Sequence, residues 1–401
     1  MRERAASSTP IERLADLAGL AFVAAYVLRI ALRGARLQWD FRVYYEAARA
    51  ALAGLDPYRV ENLVSVSGRP ANLRFLYPPI ALTPFLGFAV LPEPVALALW
   101  MACKVLLLAG LVVLWKRVFV PEAGWFATAL VAVFAANASA LWDLRTGNVA
   151  LVEAALIWGG LAAFVAGRRG WFAALVVLAA TFKLAPAAFL LLLLVPTRGA
   201  RARPDLLGVA LALLLALVLG PLVAGPTAHW RGFLAGLSGG GFPLSGANPS
   251  VFAWLVERAG SVSAFALGGW LAWLLALGLL SAGALRALWR AGDARAWSIA
   301  AVALYLLAHP RPMAYGWVLG GGALLALIRA AVPGAFARAG LVLLACGQGL
   351  LWAFQMGWDS PLVSYAPVEF AALLWFLAVL PPGAGILHAG DSALDEAQPA
   401  A

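Results

Sequence analysis

Apolar runs near membrane-spanning length recur along this chain, from DLAGLAFVAAYVLRIAL (residues 16–32) to FAALLWFLAVL (370–380). A helix needs about 20 apolar residues to cross the hydrocarbon core of a bilayer, and backbone in lipid must satisfy its own hydrogen bonds. Such runs confine the chain to an all-α, polytopic membrane fold. With 64% hydrophobic and 12% charged residues, a single soluble globular domain is excluded. Residues 1–380 read as one transmembrane domain, and 381–401 as a short tail whose end, GDSALDEAQPAA, has a disordered composition. The N-terminal MRERAASSTPIERL precedes an apolar run interrupted by Arg29 and shows no small-residue cleavage site, so it reads as a retained anchor. Cys103 and Cys346 both fall inside apolar runs, where they behave as small hydrophobes without disulfide or metal-ligand spacing.

The net charge of +10 follows topology. Arginines cluster between apolar runs, as at Arg2, Arg4 and Arg13, at Arg168 and Arg169, and at Arg198, Arg201 and Arg203. That is the pattern of cytoplasmic loops, and no nucleic-acid partner is expected. Residues 33–76, 142–148, 227–258, 309–312 and 357–367 then share one extracytoplasmic face of a cell-membrane protein. The proline-rich YPPIALTPFLGFAVLPEP (77–94) can span, re-enter or lie in the interface, and charge parity favours re-entry. About 12 spans result. Residues 171–195 carry basic residues at both ends and read as a hairpin of two short helices with Lys183 and Pro186 at its outer tip. GLSGGGFPLSGANPS (236–250) reads as a flexible external loop.

The densest polar stretch, QWDFRVYYEAARAALAGLDPYR (38–59), lies in the first external loop. Tyr44, Ala47, Ala48, Ala51 and Leu55 recur at helical spacing, which predicts a short amphipathic helix along the membrane surface. Asp40 at its start has two readings: it caps that helix, or its carboxylate acts in chemistry.

DFRVYYEAARAALAGLDPY, followed by FLYPPIALTPFLGFAVLP and ALALWMACKVLLL, resembles the N-terminal signature of glycosyltransferase family 87, the polyprenyl-phosphate-mannose-dependent mannosyltransferases and their relatives. The likeness continues through RTGNVALVEAALIWGG, the Lys-containing hairpin and ANPSVFAWL, and covers roughly residues 17–330. Two departures stand out. Thr146-Gly147-Asn148 lacks the family's usual Gln, and AHPRPMAYGWVL replaces a Ser-Pro, Trp and paired-His pattern. The resemblance implies a GT-C-type glycosyltransferase fold, a polyprenyl-phosphate sugar donor with mannose as first choice, a glycolipid or glycan acceptor, and inversion. Membrane lipids are the remaining partners.

Residue chemistry fits that expectation. A lipid phosphate is already a good leaving group, so one carboxylate acting as general base can suffice, and Asp40 is the candidate. Fixed cations stabilise the charge gathering on the leaving phosphate, and Lys183 and Arg311 are the candidates. Lysine occurs only at 104, 116 and 183, and an ionisable residue in an apolar hairpin points to function, against a snorkelling reading. Arg311 offers bidentate phosphate contacts, or pairs with Asp359. His309 beside it holds substrate or is structural. Tyr44, Tyr45, Tyr77, Asp143 and Asn148 complete the candidate substrate contacts, with helix capping the competing reading for Asp143 and Asn148. Tyr77, Trp142, Trp230, Trp317 and Trp358 also suit an interfacial belt. Lys104 and Glu153 lie within or near spans and are candidates to pair. No Asp-x-Asp pair or His/Glu cluster appears outside, so neither metal nor cofactor is expected. A transporter or flippase, and a noncatalytic polyprenyl-phosphate binder, are the alternatives from other classes.

Overall fold

The computed structural model describes residues 10–34, 37–70, 73–197, 208, 227–238, 248–332, 334–355 and 370–374. Every regular element among them is helical. Among the described residues five helices are long and apolar enough to cross a membrane, and six shorter apolar helices accompany them. The tail at 381–401, the Arg198–Arg203 loop, Trp358 and Asp359 lie outside the described residues.

The first half of the chain forms α1 (Pro10–Gly34), α2 (Trp39–Leu52), α3 (Val60–Ser67), α4 (Thr83–Ala89), α5 (Glu93–Leu114), α6 (Trp125–Thr146), α7 (Ala150–Val165) and α8 (Arg169–Phe182). A 3₁₀ segment at Ala185–Leu194 comes next. The second half forms α9 (Thr227–Ser238), α10 (Val251–Ala259), α11 (Ala264–Ala291), α12 (Ala294–Ala308), α13 (Gly320–Ala331) and α14 (Ala335–Gln355), with a helical turn at Met313–Leu319 before α13.

The segment between α1 and α5 forms a small helical layer with its own apolar centre. α2 buries Phe41, Tyr44, Tyr45, Ala47 and Ala48, and the small alanines let α4 approach closely. Phe41, Phe85, Phe88 and Trp100 stack there with ring centroids 5.4–6.2 Å apart, near the favoured range for aromatic pairs. The helical stretch in 77–94 is confined to Pro79–Ala89, roughly 16 Å at an α-helical rise, too short to cross about 30 Å of hydrocarbon alone. Phe182 ends α8, extended Lys183 turns the chain, and the 3₁₀ segment packs back against α8.

α6 is the central helix. It packs against α1, α5, α13 and α14 and buries most of its side chains. Its last turn carries Asp143 and leads through Gly147 and Asn148 into α7. Lys104 of α5 reaches that turn: Nζ is 2.7 Å from Asp143 Oδ2 and also donates to the Asp143 carbonyl, and both side chains are fully buried. Asp143 Oδ1 accepts from the Ala150 amide at 3.1 Å, capping α7. The pairing expected between Lys104 and Glu153 is therefore replaced. Asp143 takes Lys104, and Glu153 takes Lys183 at 2.7 Å. Spacing along apolar runs locates such charges but cannot rank partners that arrive from different helices. Trp317 departs from the belt expectation, being 1% exposed inside the bundle.

Removing one member of the Lys104–Asp143 pair leaves an uncompensated buried charge, which costs about 3–5 kcal/mol. Lys104→Met should therefore lower the unfolding midpoint in detergent markedly. In Lys104→Met/Asp143→Asn both charges disappear while the asparagine oxygen can still accept from Ala150. That double variant should unfold at a higher temperature than Lys104→Met alone; a midpoint equal to the sum of the single losses would mean the two side chains do not act as a pair.

Candidate functional site

The turn joining α6 to α7 is gripped from three sides. Gln38 Nε2 donates to the Leu144 carbonyl at 2.6 Å and to the Arg145 carbonyl at 3.2 Å. Trp100 Nε1 donates to the Gly147 carbonyl at 3.0 Å, and Lys104 holds Asp143. Gly147 has φ +79, and a Cβ there would fall 2.5 Å from Gln38 Oε1 and 2.7 Å from Phe41 Cβ. Glycine is required on both counts. This packing delivers Asn148, itself fully buried, to the start of α2.

Asn148 Nδ2 lies 3.0 Å from Asp40 Oδ2, 3.0 Å from Tyr44 Oη and 3.1 Å from Tyr77 Oη. The Tyr44 hydroxyl donates to Tyr77 Oη at 2.7 Å. An amide nitrogen has two hydrogens, so three acceptors share them, and Asp40 holds the anionic one. α2 starts from Gln38 with no side-chain cap bond, and the Asp40 carboxylate turns toward Asn148. Burial raises the Asp40 carboxyl from its ordinary 3.8 to about 6, opposed by the Asn148 hydrogen bond and the Lys104 charge. Tyr45 does not join the group; its hydroxyl donates to the Leu91 carbonyl at 2.7 Å and closes the aromatic layer. Asp143, with no exposed side-chain surface, supports the turn from behind, so the direct substrate contact expected of it has no geometric opening.

A second group of polar residues lies against the first. Lys183 Nζ sits 5.7 Å from the centre of the Tyr315 ring, and Tyr315 lies within electrostatic reach of Asp40, Tyr77 and Arg311. Glu153, Lys183, Tyr305, His309, Arg311 and Gly316 are among the residues lining a small cavity there of about 20 Å³, room for about one water. The His309–Arg311 segment is fixed from outside, since Ser250 Oγ donates to the Pro310 carbonyl at 2.6 Å and Trp270 Nε1 to the Ala308 carbonyl at 3.1 Å. His309 Nδ1 accepts the Arg311 amide at 2.8 Å, which leaves the proton of a neutral ring on Nε2. Burial and the nearby Lys183 and Arg311 charges push His309 down to about 3, so the ring is neutral at physiological pH. An apolar groove of about 420 Å³, lined by Phe189, Leu192, Trp297 and Leu304 among others, shares Tyr305 and His309 with this cavity.

Most of the residues singled out in the sequence thus fall into two adjoining groups: Asp40, Tyr44, Tyr77 and Asn148, and Lys183, His309 and Arg311. Glu153, Tyr305 and Tyr315 join them without having been expected as site residues. Glu153 carries a sequence signal, a carboxylate inside an apolar helix, which the pairing with Lys104 obscures. Tyr315 stands four residues after Arg311 in the same unusual motif. No group of three or more His, Cys, Asp or Glu side chains comes together among the described residues.

A partly buried carboxylate thus stands beside a cavity lined by two cations in a helical protein with five apolar helices of membrane-spanning length among the described residues. Residues 75–310 match the model of glycosyltransferase family 87, and the chain belongs to that family of membrane glycosyltransferases. No curated protein and no solved structure matches it.

The Asp40 environment predicts a stability effect with a definite sign. Its folded-state value, about 6, lies above the ordinary 3.8, so the folded state resists ionisation and the wild type loses stability as pH rises through that window. Asp40→Asn keeps the shape without the charge. Its unfolding midpoint should match or exceed the wild type's at pH 8, with the difference closing toward pH 4, and a variant clearly less stable at pH 8 would count against a carboxylate held at a cost.

Proposed function

We propose that this glycosyltransferase moves a sugar, mannose by first expectation, from a polyprenyl-phosphate donor to a glycolipid or glycan acceptor on the extracytoplasmic face. The observation that supports this best is the adjacency of three environments. The Asp40 cluster adjoins the cavity of Lys183 and Arg311, and that cavity shares the lining residues His309 and Tyr305 with the apolar groove. An isoprenoid chain suits the groove, a phosphate suits the cations, and the sugar then projects toward Asp40. The extracytoplasmic assignment rests on the arginine clusters of the opposite loops.

In this reading Asp40 accepts the proton of the acceptor hydroxyl as its oxygen bonds to the anomeric carbon. The bond from that carbon to the phosphate oxygen breaks, and polyprenyl phosphate departs with the electron pair. Attack opposite the leaving phosphate inverts the centre. A carboxylate whose conjugate acid titrates near 6 is still ionised at pH 7–8 and more basic than an ordinary one, which is the compromise a general base needs. Asn148 and the two tyrosines orient it. Lys183 and Arg311 meet the growing phosphate charge, and neutral His309 offers its Nε2 proton to an oxygen. The cavity as it stands is too small for a phosphoryl group, so Lys183, on a flexible stem, swings away from Glu153 when the donor enters.

Purified protein incubated with several polyprenyl-phosphate sugars and membrane acceptors, with products identified by mass spectrometry, tests the reading directly. Transfer should fall as pH drops through about 6. Asp40→Asn should cut turnover by roughly 100- to 10,000-fold, the range for general acid–base catalysis, with the donor still bound. Lys183→Ala and Arg311→Ala should weaken donor use, and Arg311→Lys should restore it only in part. Flux of labelled lipid across proteoliposomes without a transfer product would instead indicate transport, and near-wild-type transfer by folded Asp40→Asn would remove Asp40 from the chemistry.

A further inference from the structure

The cation cavity contains a carboxylate that the transfer reaction does not use. Glu153 Oε2 lies 2.7 Å from Lys183 Nζ, and the Glu153 side chain, 10% exposed, lines the same cavity as Arg311. A site built only to attract phosphate has no use for an anion there, because like charge raises the cost of every ligand that enters. The pair is also not a sealed structural bridge of the Lys104–Asp143 kind. Lys183 keeps 26% of its side chain exposed, while both members of the other pair have none.

The charges of the cavity lining give the reason. Lys183 and Arg311 are the cations of the lining, Glu153 is its carboxylate, and His309 is neutral at physiological pH. A sugar linked through a phosphodiester carries one negative charge. After transfer the lipid is a phosphomonoester, whose second ionisation near pH 6 gives it a charge of roughly −1.5 to −2 at pH 7. A fixed carboxylate in the lining therefore disfavours the more highly charged product more than it disfavours the donor.

We propose that Glu153 is a specificity-determining residue that tunes this cavity to phosphodiester monoanions and weakens its hold on the phosphomonoester product. The inference rests on the placement of the donor phosphate at Lys183 and Arg311. While the site is empty, Glu153 keeps the Lys183 ammonium paired. When the diester enters, Lys183 turns to the phosphate, and Glu153 accepts a hydrogen bond from a sugar hydroxyl or a water. As the leaving group gathers its second charge, the fixed carboxylate repels it and Lys183 can return. Product release is thus built into the site by a residue that takes no part in bond making.

The test uses full-length protein in lipid nanodiscs and two sugar-free probes with the same isoprenoid chain, polyprenyl phosphate and polyprenyl methyl phosphate. The wild type should bind the methyl diester more tightly than the monoester at pH 7.5. Glu153→Gln keeps the side-chain shape and an acceptor for Lys183, and should tighten the monoester relative to the diester by tenfold or more, on the order expected when one like charge leaves a partly buried site. In turnover assays the same variant should show stronger inhibition by added polyprenyl phosphate and a lower KM for the donor. Equal affinity of the wild type for both probes, a result that needs no variant, overturns the proposal. So does an unchanged ratio in folded Glu153→Gln. If neither probe nor the sugar donor binds, or if Lys183→Ala and Arg311→Ala leave binding of all three untouched, the donor-phosphate reading fails together with this one, whereas binding that depends on both cations with an unaltered ratio sinks Glu153 alone.

Discussion

The arrangement of the site depends on one buried ion pair. Lys104 and Asp143 meet with no exposed side-chain surface, and that meeting sets the path of the chain from α6 into α7. Asp143 caps α7 through Ala150, the α6–α7 turn closes over left-handed Gly147, and Asn148 is carried to Asp40. A buried pair is weak evidence for stability, because taking two charges out of water offsets much of their attraction. Its value here is direction. An apolar contact between α5 and α6 could hold the helices together as well, but could slide or rotate. A lysine that meets both the carboxylate and the carbonyl of one residue fixes the register of the turn that Asn148 leaves.

The membrane character of the chain, the amphipathic helix at the start of the first loop and the hairpin broken at Lys183 were all legible in the sequence, since each follows from apolar run length or from a polar residue interrupting such a run. Lys183 stood out inside an apolar hairpin, Asp40 at the start of the densest polar stretch and Arg311 in the His-Pro-Arg-Pro segment, and the order of motifs pointed to the family. What the sequence could not supply was the choice of partners. Lys104 with Glu153 is a sensible pairing for two charges in neighbouring spans, yet the helices cross so that Asp143 is nearer. Tyr45 and Tyr44 are adjacent and chemically equal, but successive helical positions point about 100° apart, so one hydroxyl enters the polar cluster while the other ties down Leu91. Trp317 reads as interfacial by composition and is buried because the turn into α13 carries it inward.

Three carboxylates lie within this region, and their surroundings divide the work among them. Asp143 is locked to Lys104, so its charge is permanently spoken for and its role is architectural. Glu153 is paired with a lysine that keeps some exposure and a flexible stem, so that pair can open and its charge can be felt by a ligand. Asp40 has no salt-bridge partner among the described residues and is held by an amide and flanked by phenols. Neutral donors steady a carboxylate without suppressing its basicity as strongly as a contacting cation would. Moving Lys183 or Lys104 onto Asp40 would make a stronger bond and a poorer base. In the proposed function one of these acids holds the fold, one sorts ligands by charge and one takes a proton, and that division rests on Asp143 pairing with Lys104, Glu153 with Lys183 and Asp40 with neither, so the choice of partners matters more than the presence of either lysine alone.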